Sequence, residues 1–282
     1  MPELPEVETM RRGIAGIVGS EIVQVEKIRC SRKPILITPA IKQFHNRVKG
    51  RIITEIGRLG KRVVIQLDSG DRMIIEPRMT GLLLIADPPS AEHLRFRIVL
   101  GQGLIPEVQY WDRRGLGRIM LWSDQQYREK LSDGSLGPDA LAVDPEQLQS
   151  IFASSQRPVK VALLDQAKIA GVGNLYASEI LHLAKIHPET SCQQVSKRKW
   201  VAVHQAMLNV LQTAIEYEGS TLADGTYRNS LNKSGGYQNE HRVYGRENQL
   251  CLTCRQGQIV RIVQAQRSTF FCGKCQKKHS KR

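Results

Sequence analysis

Four of the six cysteines stand as Cys251-x-x-Cys254 and Cys272-x-x-Cys275, with 17 residues between the pairs. Four-cysteine zinc ribbons use this spacing, and four thiolates close a tetrahedral shell that leaves no position for an activated water. One zinc held there is expected to be structural, stapling a segment too small to form its own core. The competing chemistry for paired cysteines is a redox dithiol, which suits a reducing compartment less well. At the other end, Met1 precedes a small residue and is expected to be removed, exposing Pro2 as a secondary amine. An α-amino group has a pKa of roughly 7.7–8, so a useful fraction is neutral near physiological pH, and nearby cations raise that fraction. Attack of this amine on a sugar C1′ would expel the C1′ substituent and leave an iminium that cannot shed its charge, an electron sink for elimination. The adjacent Glu3 could move protons. Standing alone, a proline before a helix is an ordinary helix start.

A second constellation lies at Gly171-Val172-Gly173-Asn174. The glycines permit a tight turn, Asn174 can cap a helix beginning at Leu175, and free amides at such a start can cradle a phosphate. Arg157 and Lys160 lie just upstream. The same pattern also fits a plain helical hairpin.

These residues need elements to hold them. Val7, Met10, Ile14, Ile17 and Val18 recur at helical spacing, so a helix is expected from Pro5 to about Val18, ended by Gly19. From Glu21 to Trp122 the pattern changes to eight short β-type runs, 21–28, 51–56, 62–67, 72–76, 81–85, 95–100, 107–111 and 117–122. Many short strands between Gly, Pro, Asp and Ser turns predict a β-sandwich or barrel. Residues 146–218 read as helical, with a long helix from about Ser196 carrying Trp200, Val203, Met207, Val210, Leu211 and Ala214 on one side. The polar stretch 219–241 has little to bury and reads as a functional or disordered loop. A hairpin through Ile259–Gln264 is expected between the two cysteine pairs.

The 282 residues allow two compact domains, and no apolar run is long enough to span a bilayer. The acidic start MPELPEVE lacks the features of a secretory signal, so a cytoplasmic, nucleoid-associated protein is expected. A net charge of +14 suits a polyanionic partner, and residues 241–282 hold ten Lys and Arg against the single acid Glu247.

The string Pro2-Glu3-Leu4-Pro5-Glu6-Val7-Glu8, the Gly171–Glu179 segment, Val243-Tyr244-Gly245-Arg246 and the four-cysteine unit with Gln266-Arg267 occur in one order along the chain. In this the sequence resembles the bacterial formamidopyrimidine-DNA glycosylases from end to end. The resemblance implies an α+β multidomain fold: a β-sandwich with a leading helix (1–131), a linker (132–146), a helix-two-turn-helix domain (147–240) with a lesion-binding loop (219–241), and a zinc finger (241–282). It implies a monomer acting on double-stranded DNA that contains oxidised bases or abasic sites, cutting by β- and δ-elimination. Pro2 would be the Schiff-base nucleophile and Glu3 the acid/base. Lys61, in Leu59-Gly60-Lys61-Arg62, would be the catalytic lysine; it shares strand parity with Val63, Ile65 and Leu67, which puts it at the mouth of a core face. Met79, Arg114 and Leu116 would fill the gap left by a flipped base, with Arg113 the alternative to Arg114 one register away and Leu116 where the family often has Phe. His93, Arg157, Lys160 and Asn174 match DNA-contact positions, and Arg267 matches an arginine tied to δ-elimination. The arm between the cysteine pairs is one residue longer than the family pattern. Leu4 favours this reading over the sister endonuclease VIII type, which acts on oxidised pyrimidines and typically has Gly there. A non-catalytic zinc-finger DNA-binding protein is the other alternative, against which Pro2, Glu3 and Lys61 stand together.

Overall fold

The computed structural model describes residues 2–101 and 103–278. Met1, expected from the sequence to be removed, and the last four residues of the finger segment lie outside them. The chain folds as two units, one reaching to Asp133 together with Ala214–Gln238, the other Gly134–Thr213 with the chain from Asn239 onward.

The first unit opens with helix α1 (Leu4–Gly13), followed by a 3-10 turn at Ala15–Ile17. The single helix expected to Val18 therefore stops early. Gly13 lies against Ser230, where a β-carbon would meet the Ser230 hydroxyl at 1.9 Å, so α1 ends at a close approach of the chain. Strands β1 (Glu21–Lys27), β6 (Gly81–Leu84), β7 (Leu94–Gly101) and β8 (Glu107–Asp112) form one sheet in the order β1-β7-β8-β6. Strands β2 (Leu36–Thr38), β3 (Ile53–Leu59), β4 (Arg62–Leu67), β5 (Arg72–Glu76) and β9 (Arg118–Trp122) form the other, in the order β2-β9-β5-β4-β3. Inward residues such as Val63, Ile65, Met73, Phe96, Ile98 and Ile119 share one core with Val7, Met10 and Ile14 of α1. This is a β-sandwich with a helix packed on it, and all eight expected strands are present. Helices α2 (Ile41–Val48) and α3 (Asp124–Ser132) and the three-residue β2 were not foreseen.

Residues 219–238 of the segment expected to be a polar loop are packed within the first unit. Ser220, Thr226, Tyr227, Asn229, Ser230 and Tyr237 are buried, and Tyr227 joins the sandwich core. Its backbone is tied to the same unit by Ile85 N–H donating to Ser230 O at 2.9 Å.

The second unit contains α4 (Pro145–Phe152), α5 (Val159–Leu163), α6 (Asn174–Leu183) and most of α7 (Lys197–Glu216). The stretch following Asp133 is pinned to it by Gly137 N–H on Gln166 O and Ala140 N–H on Ala170 O. Trp200 of α7 stacks on Phe152 of α4 at 5.6 Å. The finger hairpin, β10 (Ile259–Gln264) with β11 (Arg267–Cys272), packs its β11 strand on α6. No helix is long and apolar enough to cross a membrane among the described residues.

Candidate active site and nucleic-acid contacts

Pro2 and Glu3 are buried at the entry to α1, Glu3 being its N-cap residue. Glu6 fixes this entry: one carboxylate oxygen accepts the Glu3 N–H at 2.8 Å, and the other accepts the Ser220 N–H at 2.9 Å. A buried carboxylate with backbone donors on both oxygens holds the helix start and the 219–238 segment in fixed register. In the sequence Glu6 is one residue of the N-terminal motif, with no role of its own assigned at the site. Glu8, two residues on, accepts from Arg11, Arg12 and, at 3.1 Å, from Arg58 of β3. Burial alone would raise its pKa, yet the three guanidinium groups hold it down at about 2.

This clamp sets α1 against β3 and β4. Those strands close at Leu59 and Arg62, and the two turn residues are Gly60 and Lys61. Gly60 has φ +57°, the left-handed backbone that a two-residue hairpin turn demands. Val63, Ile65 and Leu67 are buried as their parity requires. Lys61 lies one residue before the strand, so the turn positions it and the parity does not; it is half-buried.

The gap-filling candidates flank one buried carboxylate, Asp112, which is fully inaccessible. Its Oδ1 accepts from Thr80 Oγ1 and from the Arg114 N–H at 3.1 Å, and its Oδ2 accepts the Gly117 N–H at 2.8 Å. The half-buried Met79 precedes Thr80, and the half-buried Leu116 lies between Gly115 and Gly117. Both glycines are required: a β-carbon on Gly115 would meet Lys33 O at 2.0 Å, and one on Gly117 would meet Tyr110 Oη at 1.8 Å. Asp112 thus anchors both candidate loops, a role invisible in the motif DRRGLG. The two arginines differ. Arg113 Nη2 donates to Thr226 Oγ1 at 2.8 Å, while the exposed Arg114 guanidinium has no hydrogen bond or ion pair among the described residues. His93 stands edge-on to Trp111 with ring centroids 5.4 Å apart, its Nδ1 buried without a partner.

In the second unit Lys160 is fully buried, and its ammonium donates to Asn174 Oδ1. Asn174 was expected to cap α6. Instead Gly173 is the N-cap residue, and the Asn174 amide donates to Ser268 O of the finger at 3.0 Å, so this side chain joins helix to finger. Arg157 is paired with Asp165 at 2.7 Å. Arg267 is the first residue of β11, exposed, and paired in register with Gln264. The turn between them is made of Ala265 and Gln266, both in the left-handed region at φ +47° and +60°. This two-residue turn sets Arg267 at the hairpin tip. Glu179 of α6 was also missed. It is buried and accepts the N–H groups of Arg242, Val243 and Tyr244 at 2.8–3.0 Å; burial still pushes its pKa up.

The ligand atoms of Cys251, Cys254, Cys272 and Cys275 lie within 4.8 Å of one another, with Cys251–Cys275 at 3.9 Å and Cys254–Cys272 at 3.8 Å. A tetrahedron with metal–sulfur bonds of about 2.3 Å has edges of about 3.8 Å, so the cluster fits a metal ion. The thiol chemistry agrees. N–H groups of Gly257 and Gln256 bring Cys254 down to about 6, while burial and the adjacent sulfurs push Cys275 up. Four thiolates this close require a cation to neutralise them.

This arrangement has counterparts among known proteins. Residues 1–119 match the family model described as the formamidopyrimidine-DNA glycosylase N-terminal domain, and residues 136–225 match its H2TH domain. The chain is 39% identical over 281 residues to the formamidopyrimidine-DNA glycosylase of Chloroflexus aurantiacus, covering 98% of each protein. It is 36% identical to that of Bacillus subtilis, covering 99% of this chain and 100% of the relative. Among solved structures, Lactococcus lactis Fpg in complex with DNA containing an abasic site superposes with TM-score 0.86 at 32% identity, covering 98% of this chain and 100% of that one. A MutM complex with DNA containing carbocyclic 8-oxo-G gives 0.85 at the same identity and coverage.

Proposed function

The chain belongs to the formamidopyrimidine-DNA glycosylase family, and on that premise we propose that it excises oxidised purines from duplex DNA and then cuts the abasic strand. The substrates would be 8-oxoguanine and ring-opened formamidopyrimidines, the class bound in the related complexes. The observation that carries this reading is the placement of Pro2 and Glu3 at an α1 start held by Glu6 and clamped through Glu8 to the hairpin that bears Lys61.

The Pro2 nitrogen attacks C1′; the N–C1′ bond forms as the bond from C1′ to the base breaks, and the base leaves with a proton. The Pro2 nitrogen sheds its proton, and cleavage of the C1′–O4′ bond with a proton delivered to O4′ opens the sugar and leaves the iminium. This draws electrons from the sugar, so loss of the C2′ proton expels the 3′ phosphate, and loss of the C4′ proton in a second elimination expels the 5′ phosphate. Glu3 exchanges the protons, and Lys61 supplies positive charge beside the reacting sugar. Met79, Arg114 and Leu116 occupy the gap left by the flipped nucleotide. His93, Arg157 and Asn174 hold the DNA backbone, the buried Lys160 acting through the Asn174 side chain it bonds, and Arg267 assists the second elimination. We read the protein as a monomer with a catalytic sandwich, a helix-two-turn-helix domain and a finger, acting on DNA in the bacterial cytoplasm. Its four cysteines hold one zinc ion, which supplies rigidity to the finger and takes no part in the reaction.

The test is incubation with duplexes carrying 8-oxoguanine opposite cytosine, or an oxidised pyrimidine, under borohydride. Covalent trapping on the purine duplex is expected. No adduct on either duplex would sink the enzymatic reading, and trapping on the pyrimidine lesion alone would assign the chain to the endonuclease VIII type of activity.

A further inference from the structure

We propose that Arg113 is a positioning residue that makes base excision depend on the gap-filling loop, rather than one of the side chains entering the gap. This inference rests on the glycosylase reading above.

The 219–238 segment is held firmly along most of its length. Glu6 takes the Ser220 N–H, Tyr227 sits in the sandwich core, Ser230 O accepts from Ile85, and the Asn232 amide donates to Asp87 O. Its turn at 222–226 is different. Ala223, Asp224 and Gly225 are exposed, and the bonds made inside the turn are short-range: Gly225 N–H on Leu222 O, and Thr226 on Asp224. Among the described residues, the hydrogen bond reaching this turn from elsewhere in the unit is the 2.8 Å contact from Arg113. It is charge-assisted and ends on a side chain that is 6% exposed, so it is stronger than a neutral surface contact.

The other end of the strut is rigid. Asp112 holds Arg114 N–H and Gly117 N–H, and Gly115 leaves no room against Lys33 O. Arg113 stands between the anchored Asp112 and the anchored Arg114 backbone, so a shift of this loop on entering the duplex is passed to Thr226. Arg114, the next residue along, keeps an uncommitted guanidinium and is free to enter the gap. One loop therefore serves two partners, DNA through Arg114 and the 222–226 turn through Arg113.

With 219–241 read as the lesion-binding loop, its 222–226 turn matters while the base is present and has nothing to hold at an abasic site. The readout is therefore the ratio of single-turnover excision of 8-oxoguanine to cleavage of a preformed abasic duplex, both by the full-length, metal-loaded protein. Arg113→Gln and Thr226→Val are each expected to lower this ratio about tenfold, as loss of one charge-assisted bond allows. The double variant is expected to be no worse than the poorer single, since both remove one interaction. A parental ratio in Arg113→Gln, or multiplicative losses in the double variant, would overturn the strut while leaving the enzyme assignment standing. A parent protein that cuts neither duplex would overturn that assignment and the strut with it. Thr226→Val leaves Arg113 in place, so a folding defect in one variant does not decide the outcome.

Discussion

Glu8 shows how a residue of the N-terminal motif becomes the joint between two elements. Its carboxylate is 10% exposed and shared among Arg11, Arg12 and Arg58, and its folded pKa of about 2 lies below the ordinary value of 4.5. A carboxylate depressed on folding contributes stability that is present above pH 4.5 and is lost as pH falls towards 2. Glu8→Gln should therefore destabilise the protein at pH 7 by on the order of 2 kcal/mol, the scale of hydrogen bonds to a charged group. The gap from the parent should narrow steadily between pH 4.5 and about 2 in urea unfolding. A gap independent of pH would show that Glu8 does not clamp α1 to β3. At the same scale, Asp112 and Glu6 escaped the sequence reading for a common reason. Each joins its own stretch of chain to a donor distant in sequence, the Thr80 hydroxyl for Asp112 and the Ser220 N–H for Glu6, and an acidic residue carries no mark of which donors will surround it.

Among the elements, the finger hairpin turns through two residues that are neither Gly nor Asn yet both have positive φ. Each L-residue in that region is strained by roughly 1 kcal/mol. Gln266→Gly should relieve one and slow hydrogen exchange of the paired amides of β10 and β11 about fivefold. Unchanged exchange would mean that the hairpin does not open through its turn. The strands were legible because alternation and turn residues report directly on a half-buried sheet, and α7 because its apolar stripe is long. The helix α2 carries Ile41, Phe44 and Val48 at helical spacing but is only eight residues long, too brief for periodicity to stand out. The break in α1 at Gly13 and the packing of 219–238 were hidden for another reason. Both depend on Ser230 and Tyr227, which reach the sandwich helix from the far end of the sequence. The local pattern of the 219–238 segment is polar, and its buried groups are satisfied by hydrogen bonds rather than by apolar contact.

Across the whole molecule, the sandwich and the finger are stabilised by unequal means. The sandwich unit has a continuous apolar core, whereas the finger core gathers Val243, Ile259 and Phe270 around the cysteines themselves. Removing the metal with a chelator should unfold the finger while the sandwich keeps its own melting transition. Duplex affinity should then fall at least about tenfold, because basic residues of the finger lose their fixed positions. Loss of both transitions together would contradict independent stabilisation of the units. The net charge of +14 adds that affinity for undamaged duplex should drop steeply with salt, whatever its sequence.

Pro2 as the nucleophile is the claim on which the rest depends. The most direct measurement is peptide mapping by mass spectrometry of the borohydride-trapped adduct with an 8-oxoguanine duplex, run beside Pro2→Gly. We predict a protein that lacks Met1, with the reduced sugar on the Pro2 nitrogen, and a Pro2→Gly variant that still binds damaged duplex but loses most of the adduct. An adduct on Lys61, or full trapping by Pro2→Gly, would contradict the central claim.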